Sequence, residues 1–141
     1  MRRLVTGTDD QGRSCVISEA EIELVEPLPG NLVSMEQLFA TAELPPPWRS
    51  VGTSEKLDLG VGAGLSWMVV RWEPNGEWPP HFTDTLDLDL VLNGTIDLVL
   101  GDGAHRLEAG DCVVVEGVDH AWRAGPDGCT MIITAIGTPR T

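Results

Sequence analysis

His81-Phe82-Thr83-Asp84-Thr85-Leu86-Asp87-Leu88-Asp89-Leu90-Val91-Leu92-Asn93-Gly94 is the stretch on which the reading of this chain turns. From Thr85 to Leu92 the residues alternate, with Leu86, Leu88, Leu90 and Leu92 on one face and Thr85, Asp87, Asp89 and Val91 on the other. A period of two is that of a β-strand. Carried back to position 81, it places His81, Thr83, Thr85, Asp87 and Asp89 on a single face. Five polar groups turned into a protein interior are costly unless they are hydrogen-bonded or hold a ligand. The leucine face must then be covered by the N-terminal arm or by another subunit, since an exposed leucine row is an interface signal. The ordinary alternative turns the leucines inward and the acids outward.

A second segment, Gly110-Asp111-Cys112-Val113-Val114-Val115-Glu116-Gly117-Val118-Asp119-His120, ends on another histidine. Between the two histidines the pattern reads as short strands. Asn93-Gly94 and Asp102-Gly103 carry the residue types of two-residue hairpin turns. Leu65–Trp72 before them and Met131–Ile136 after them read as further strands, the latter following a turn at Gly125-Pro126-Asp127-Gly128. Many short strands with turn signals every 8–12 residues predict a sandwich or barrel. Upstream, residues 1–20 read as a hairpin arm with its turn at Asp9–Gly12. Residues 31–40 read as a strand, with a helix start capped by Ser34 and Gln37 as the alternative, and the Pro45-Pro46-Pro47-Trp48 run excludes a helix interior. Trp48 is a candidate lid or interface residue.

The 141 residues suit one domain with a proper core. A net charge of −13 disfavours nucleic acid, whose binding rests on Lys and Arg neutralising phosphates, and an anionic membrane surface. No apolar run approaches the roughly 18 residues of a membrane span, and the charged start is followed by a polar stretch rather than a signal-peptide core. Three cysteines without a Cys-x-x-Cys pair read as reduced thiols of a cytoplasmic protein, with Cys112 a small core residue.

The two segments together resemble the motifs of the cupin superfamily. In the first, His81, Thr83, Asp87 and Gly94 occupy the positions of histidine, histidine, glutamate and glycine. In the second, Gly110-Asp111, an apolar run and Gly117-x-x-His120 fit, without the usual proline before the glycine. The resemblance covers roughly residues 61–136. It implies an all-β double-stranded β-helix, or jelly-roll, barrel over 61–141, with 1–60 as an N-terminal extension packed on the barrel or on a partner subunit. It also implies a homodimer and a small-molecule site inside the barrel. The His-x-Thr-x-Thr-x-Asp variant and the Gly-x-x-His-Ala-Trp ending are similar to a bacterial subgroup of single-domain cupins associated with secondary metabolism.

His81, Asp87 and His120 have the composition of a two-His-one-carboxylate site for Fe, Mn, Zn or Ni. Thr83 in place of a histidine removes an imidazole ligand, and Asp87 in place of glutamate shortens the reach by about 1.5 Å. A pocket working without metal is the other reading. His120, His81 and Asp87 are the candidate catalytic residues, with His120 as general base or acid. Thr83, Thr85 and Asp89 are candidates for substrate hydrogen bonds, Asp89 also for assisting Asp87. Trp122 is a candidate pocket wall and Trp78 a mouth residue. Trp67, Met68 and Met131 read as core, and His105 as an inert surface residue. The expected activity is isomerisation, cyclisation, dehydration or decarboxylation of an apolar oxygenated metabolite. An iron-dependent dioxygenase on the same three residues and a non-catalytic binding protein are the alternatives.

Overall fold

The structure, a computed structural model, describes residues 1–23, 34–44 and 50–139. Among them are nine strands and no helix: β1 (Arg2–Thr8), β2 (Ser14–Glu21), β3 (Glu55–Lys56), β4 (Leu65–Trp72), β5 (Glu77–Phe82), β6 (Thr85–Leu100), β7 (Gly103–Glu108), β8 (Cys112–Val115) and β9 (His120–Gly137). They form one sheet in the order β2-β1-β8-β6-β9-β5-β3, with β4 also on β9 and β7 also on β6.

Two long strands make this sheet curl. β6 pairs antiparallel with β9 along most of its length, and on its other edge passes from β8 to β7. β9 likewise passes from β5 at His120–Arg123 to β4 at Cys129–Ile136. A strand that changes neighbours partway must bend, and two such strands side by side roll the all-β sheet into a curled half-barrel.

The bend falls at Asn93-Gly94, which is not the hairpin turn its residue types suggest. The chain runs straight through as a bulge, with the register shifting on either side of Gly94 against β9. A type I′ turn needs positive φ at both central residues, and only Gly94 has it, at 74°. The close approach of β9 explains the glycine, since a Cβ here would lie 2.0 Å from the Gly128 carbonyl oxygen. Gly125–Gly128 is also no chain reversal. It is the excursion on β9 opposite this bulge, between the Ile96↔Ala124 and Gly94↔Cys129 pairs. A hairpin does join β6 to β7, but its two loop residues are Gly101 and Asp102, with Gly103 already paired to Leu100.

The first two strands form the expected hairpin, and β1 joins the sheet by pairing parallel with β8. Leu4 enters the main core with Val91, Ile96, Leu98, Val113, Val115 and Met131. Residues 34–40 form no strand. Leu38 and Phe39 are both half-buried, so the period of two is broken there, and Phe39 packs beside Leu86, Val5 and Val114. Residues 31–33 and the Pro45–Trp48 run lie outside the described residues. The leucine face is thus covered at Leu86 by the arm and by β8, while Leu92 is exposed.

Trp67 is not core: it is 76% exposed. On β4 the inward set is Ser66, Met68, Val70 and Trp72. Trp67 is an odd number of residues from Trp72, so burying one exposes the other.

Candidate active site

The polar face of β6 turns inward. Asp87 and Asp89 are 6% and 4% exposed, and His81, Thr83, Thr85 and His120 are equally buried. A cavity of about 280 Å³ opens onto His81, Thr83, Asp87, Asp89 and His120. Its other walls are mostly apolar: Trp72, Trp78 and Trp122, Met68 and Val70 from β4, Ile133 from β9, and Leu57 and Leu59 after β3, with Arg71 of β4 the one charged residue among them. Thr85 lies behind this wall rather than in it. Trp78, at 44% exposure, stands at the mouth.

The two histidines come together because β5 and β9 pair antiparallel with His81 opposite His120. Their ring centroids are 4.3 Å apart. Trp78 meets the His81 ring edge-on, Trp122 meets the His120 ring edge-on, and Trp72 lies against Trp122. The Nδ1 of His81 is 2.9 Å from the Pro79 carbonyl and that of His120 is 2.8 Å from the Val118 carbonyl. A carbonyl oxygen only accepts, so each Nδ1 carries the proton and donates it. Each neutral ring therefore leaves its Nε2 with a bare lone pair.

Burial keeps both rings neutral at physiological pH. It lowers the His81 value, and the Pro79 contact and Asp119 only partly oppose it. For His120 burial is again the main cause, and repulsion from His81 adds to it, bringing the group down to about 4. The carboxyls move the other way. Burial pushes Asp87 up to about 6, with the Thr85 hydrogen bond opposing. Burial, and then the neighbouring Asp87 charge, raise Asp89 well above the ordinary carboxylate range.

A hydroxyl chain joins these groups. The Thr85 hydroxyl is 2.6 Å from Asp87 Oδ1 and 2.8 Å from the Thr83 hydroxyl. A hydroxyl has one proton to donate. While Asp87 is ionised, Thr85 donates to it and Thr83 donates to Thr85. Once Asp87 is protonated it can donate to Thr85, Thr85 to Thr83, and the Thr83 proton turns to the cavity.

The metal reading meets a geometric difficulty. Among the described residues no three His, Cys, Asp or Glu side chains are grouped closely enough to hold an ion. Two imidazoles present lone pairs side by side, as metal ligands do. Asp87, the third expected ligand, is instead engaged by Thr85. The donor set is two nitrogens without a third protein ligand.

Pattern reading missed several site residues. Met68, taken as core, lines the cavity, as do Trp72 and Val70 from the same face of β4. The alternation of β4 carries that signal once the inward parity is known. Leu57 and Leu59 have no such signature. They are brought in by Asp119, which accepts from the Thr53 and Ser54 backbone N–H groups at 2.8 and 2.9 Å and from both hydroxyls, and by the Leu57 N–H donating to the Phe82 carbonyl. His105 is tied to Asp102 at 2.6 Å beside the β6–β7 hairpin.

No protein-family model matches this chain. Among curated proteins it is similar to two from Diaporthe leptostromiformis. It is 45% identical over 66 residues to phomopsin biosynthesis cluster protein C', covering 46% of this chain and 35% of that protein. It is 45% identical over 56 residues to phomopsin biosynthesis cluster protein D, covering 39% and 30%. The chain thus spans about a third of the length of the curated relatives it matches. Among solved structures it is similar to a cupin-2 domain protein from Shewanella frigidimarina, at 28% identity and a TM-score of 0.45 over 50% of this chain and 68% of that one.

Proposed function

We propose that this chain, a cupin by fold and by its two motif segments, is a small-molecule enzyme that moves a proton on an apolar oxygenated metabolite inside the barrel. One observation carries the reading: two neutral imidazoles present bare Nε2 lone pairs to an apolar cavity that also holds a pair of protonatable carboxyls. Bases and acids whose environments push their pKa values apart are the signature of acid–base catalysis.

The step that fits is enolisation, common to keto–enol isomerisation and aldol-type cyclisation. The C–H bond beside a substrate carbonyl breaks, its proton passes to Nε2 of His120, and the electron pair moves onto the carbonyl oxygen. That oxygen takes a hydrogen bond from Thr83 when Asp87 is protonated, and its proton is supplied through the Thr83–Thr85–Asp87 chain. His81 holds the neighbouring position and keeps His120 uncharged. The tryptophans and Leu57 exclude water, which strengthens each of these interactions. No step runs through a metal, because among the described residues no third protein ligand is grouped with the two imidazoles. Likeness to proteins of a biosynthetic cluster supports a role in secondary metabolism.

A homodimer is the proposed assembly. Leu65, Trp67 and Val69 form an exposed row on β4, which among the described residues pairs only with β9. A cytoplasmic location is proposed with it; among the described residues no helix is long and apolar enough to cross a membrane.

The test is hydrogen–deuterium exchange at the α-carbon of 1-tetralone in D₂O, followed by ¹H NMR, with elemental analysis of the same tag-free protein. Wild type is expected to accelerate exchange and His120→Gln to lose about a hundredfold. Binding without exchange would leave a non-catalytic binding protein. Near one equivalent of metal, lost in the His81→Ala/His120→Ala double variant, would replace the metal-free step, and iron would bring the dioxygenase forward.

A further inference from the structure

The backbone of β4 has an open side, and the ladder it forms with β9 shows which residues face it. The Gly137 N–H donates to the Gly64 carbonyl at 2.8 Å. In an antiparallel ladder such bonds flank a pair that is not itself hydrogen-bonded, which here is Leu65↔Ile136. The register then runs unshifted to Trp72↔Cys129. Ser66, Met68, Val70 and Trp72 therefore give their N–H and C=O groups to β9. Those of Leu65, Trp67, Val69 and Arg71 point the other way, where among the described residues no strand meets them.

A row of open backbone groups is a template for a further strand, and native proteins blunt it with charge, proline, a bulge or a short strand. The other edges of this sheet are blunted. β2 carries Glu19 and Glu21, β7 carries Arg106 and Glu108, β3 is two residues long, and β5 beyond it holds Pro79 and Pro80. From Leu65 to Val70, β4 has no charge, no proline and no register shift. Leu65, Trp67 and Val69, whose backbone groups face the open side, also have exposed side chains.

Two features select a second copy of the chain as the strand that fits. Copies carrying −13 each repel one another, and among the described edge strands β4 alone has no acid. The edge is also complementary to itself. Turned antiparallel about a twofold axis, it sets Leu65 opposite Arg71 and Trp67 opposite Val69 of the second copy, which uses all four open residues of each copy. Arg71 then lies diagonally across the seam from Trp67, within reach of its ring. Its partner within the chain, Glu73, stands 3.9 Å away with both side chains exposed.

We infer that a second copy adds its own β4 to this edge, antiparallel, joining the two sheets into one. This rests on the homodimer proposed above and adds the strand and the groups that make it. It also ties assembly to the candidate site, because Met68, Val70 and Trp72 of the same strand line the cavity.

Amide hydrogen exchange of wild type tests it by parity, read residue by residue above and below the concentration at which sedimentation equilibrium shows the dimer to dissociate. All β4 amides are expected to be protected in the dimer. On dilution Leu65, Trp67, Val69 and Arg71 should lose their protection while Ser66, Met68, Val70 and Trp72 keep it. Val69→Pro removes one open N–H at a position where an edge strand tolerates proline, and should sediment as a monomer with the even-numbered amides still protected. Val69→Thr keeps the N–H and should remain a dimer. A dimer whose odd-numbered amides exchange fast throughout, one that Val69→Pro leaves intact, or one that both variants dissociate alike overturns the edge pairing and leaves the homodimer to another surface. A wild type that is monomeric throughout overturns the inference together with the homodimer beneath it. None of these readings depends on turnover, so the proton-transfer step succeeds or fails separately.

Discussion

His81 and His120 sit directly opposite each other on neighbouring antiparallel strands, with their ring centroids 4.3 Å apart. Each gives its Nδ1 proton to the carbonyl two residues before it. The same local hydrogen bond on both strands fixes both tautomers and turns both Nε2 atoms the same way chemically, toward acceptance.

The buried carboxyls make stability depend on pH in a defined direction. Asp87 titrates near 6 in the fold, against 3.8 when unperturbed. Its raised value means that stability is fully present below the unfolded value and is lost as pH rises through about 6. Asp87→Asn, which still accepts from Thr85, is expected to exceed wild type by about 3 kcal/mol at pH 8 and to match it at pH 3.5. Urea denaturation at the two pH values measures this. A variant no more stable than wild type at pH 8 would show the carboxylate to be well solvated.

Gly94→Ala is expected to be severely destabilising. The new Cβ meets the Gly128 carbonyl at 2.0 Å on a residue with φ of 74°. Both faults lie in the backbone, so no rotamer relieves them. A loss of roughly 2 kcal/mol or more should appear in denaturant melts. Gly12→Ala, at similar φ with nothing near its Cβ, should cost less.

Those glycines also show how far the sequence carried. The strict alternation of 85–92 revealed the strand, and histidine spacing revealed which face turns inward, because burying five polar groups needs a site to justify it. Asn93-Gly94 misled, since an Asn-Gly pair looks the same in a turn and in a bulge, and only the close approach of β9 tells them apart. Trp67 misled because parity on β4 is fixed by its pairing with β9, which is remote in sequence. Leu57 and Leu59 were invisible because their placement rests on Asp119, which draws a loop more than sixty residues away across the mouth.

Asp119→Ala should release that loop. The carboxylate accepts four hydrogen bonds from Thr53 and Ser54. A loss of about 1–3 kcal/mol is expected, with faster amide hydrogen exchange confined to residues 53–59 at first. Uniformly faster exchange over the whole chain would mean that the loop was never independently held.

Trp67→Ser with Leu65→Ser should act on assembly alone. These side chains are 76% and 63% exposed, so the fold loses little. Sedimentation equilibrium is expected to give a dimer for wild type and a monomer for the variant. A monomeric wild type would contradict the proposed assembly.

The most direct test is the ¹⁵N spectrum of the histidine rings at pH 7. Both His81 and His120 are expected to be neutral, protonated on Nδ1, with His120 staying neutral down to about pH 4. Addition of 1-tetralone should shift the Nε2 resonances. A proton on Nε2 of either ring, or a cationic ring at pH 7, would remove the lone pairs on which the base role rests and contradict the account.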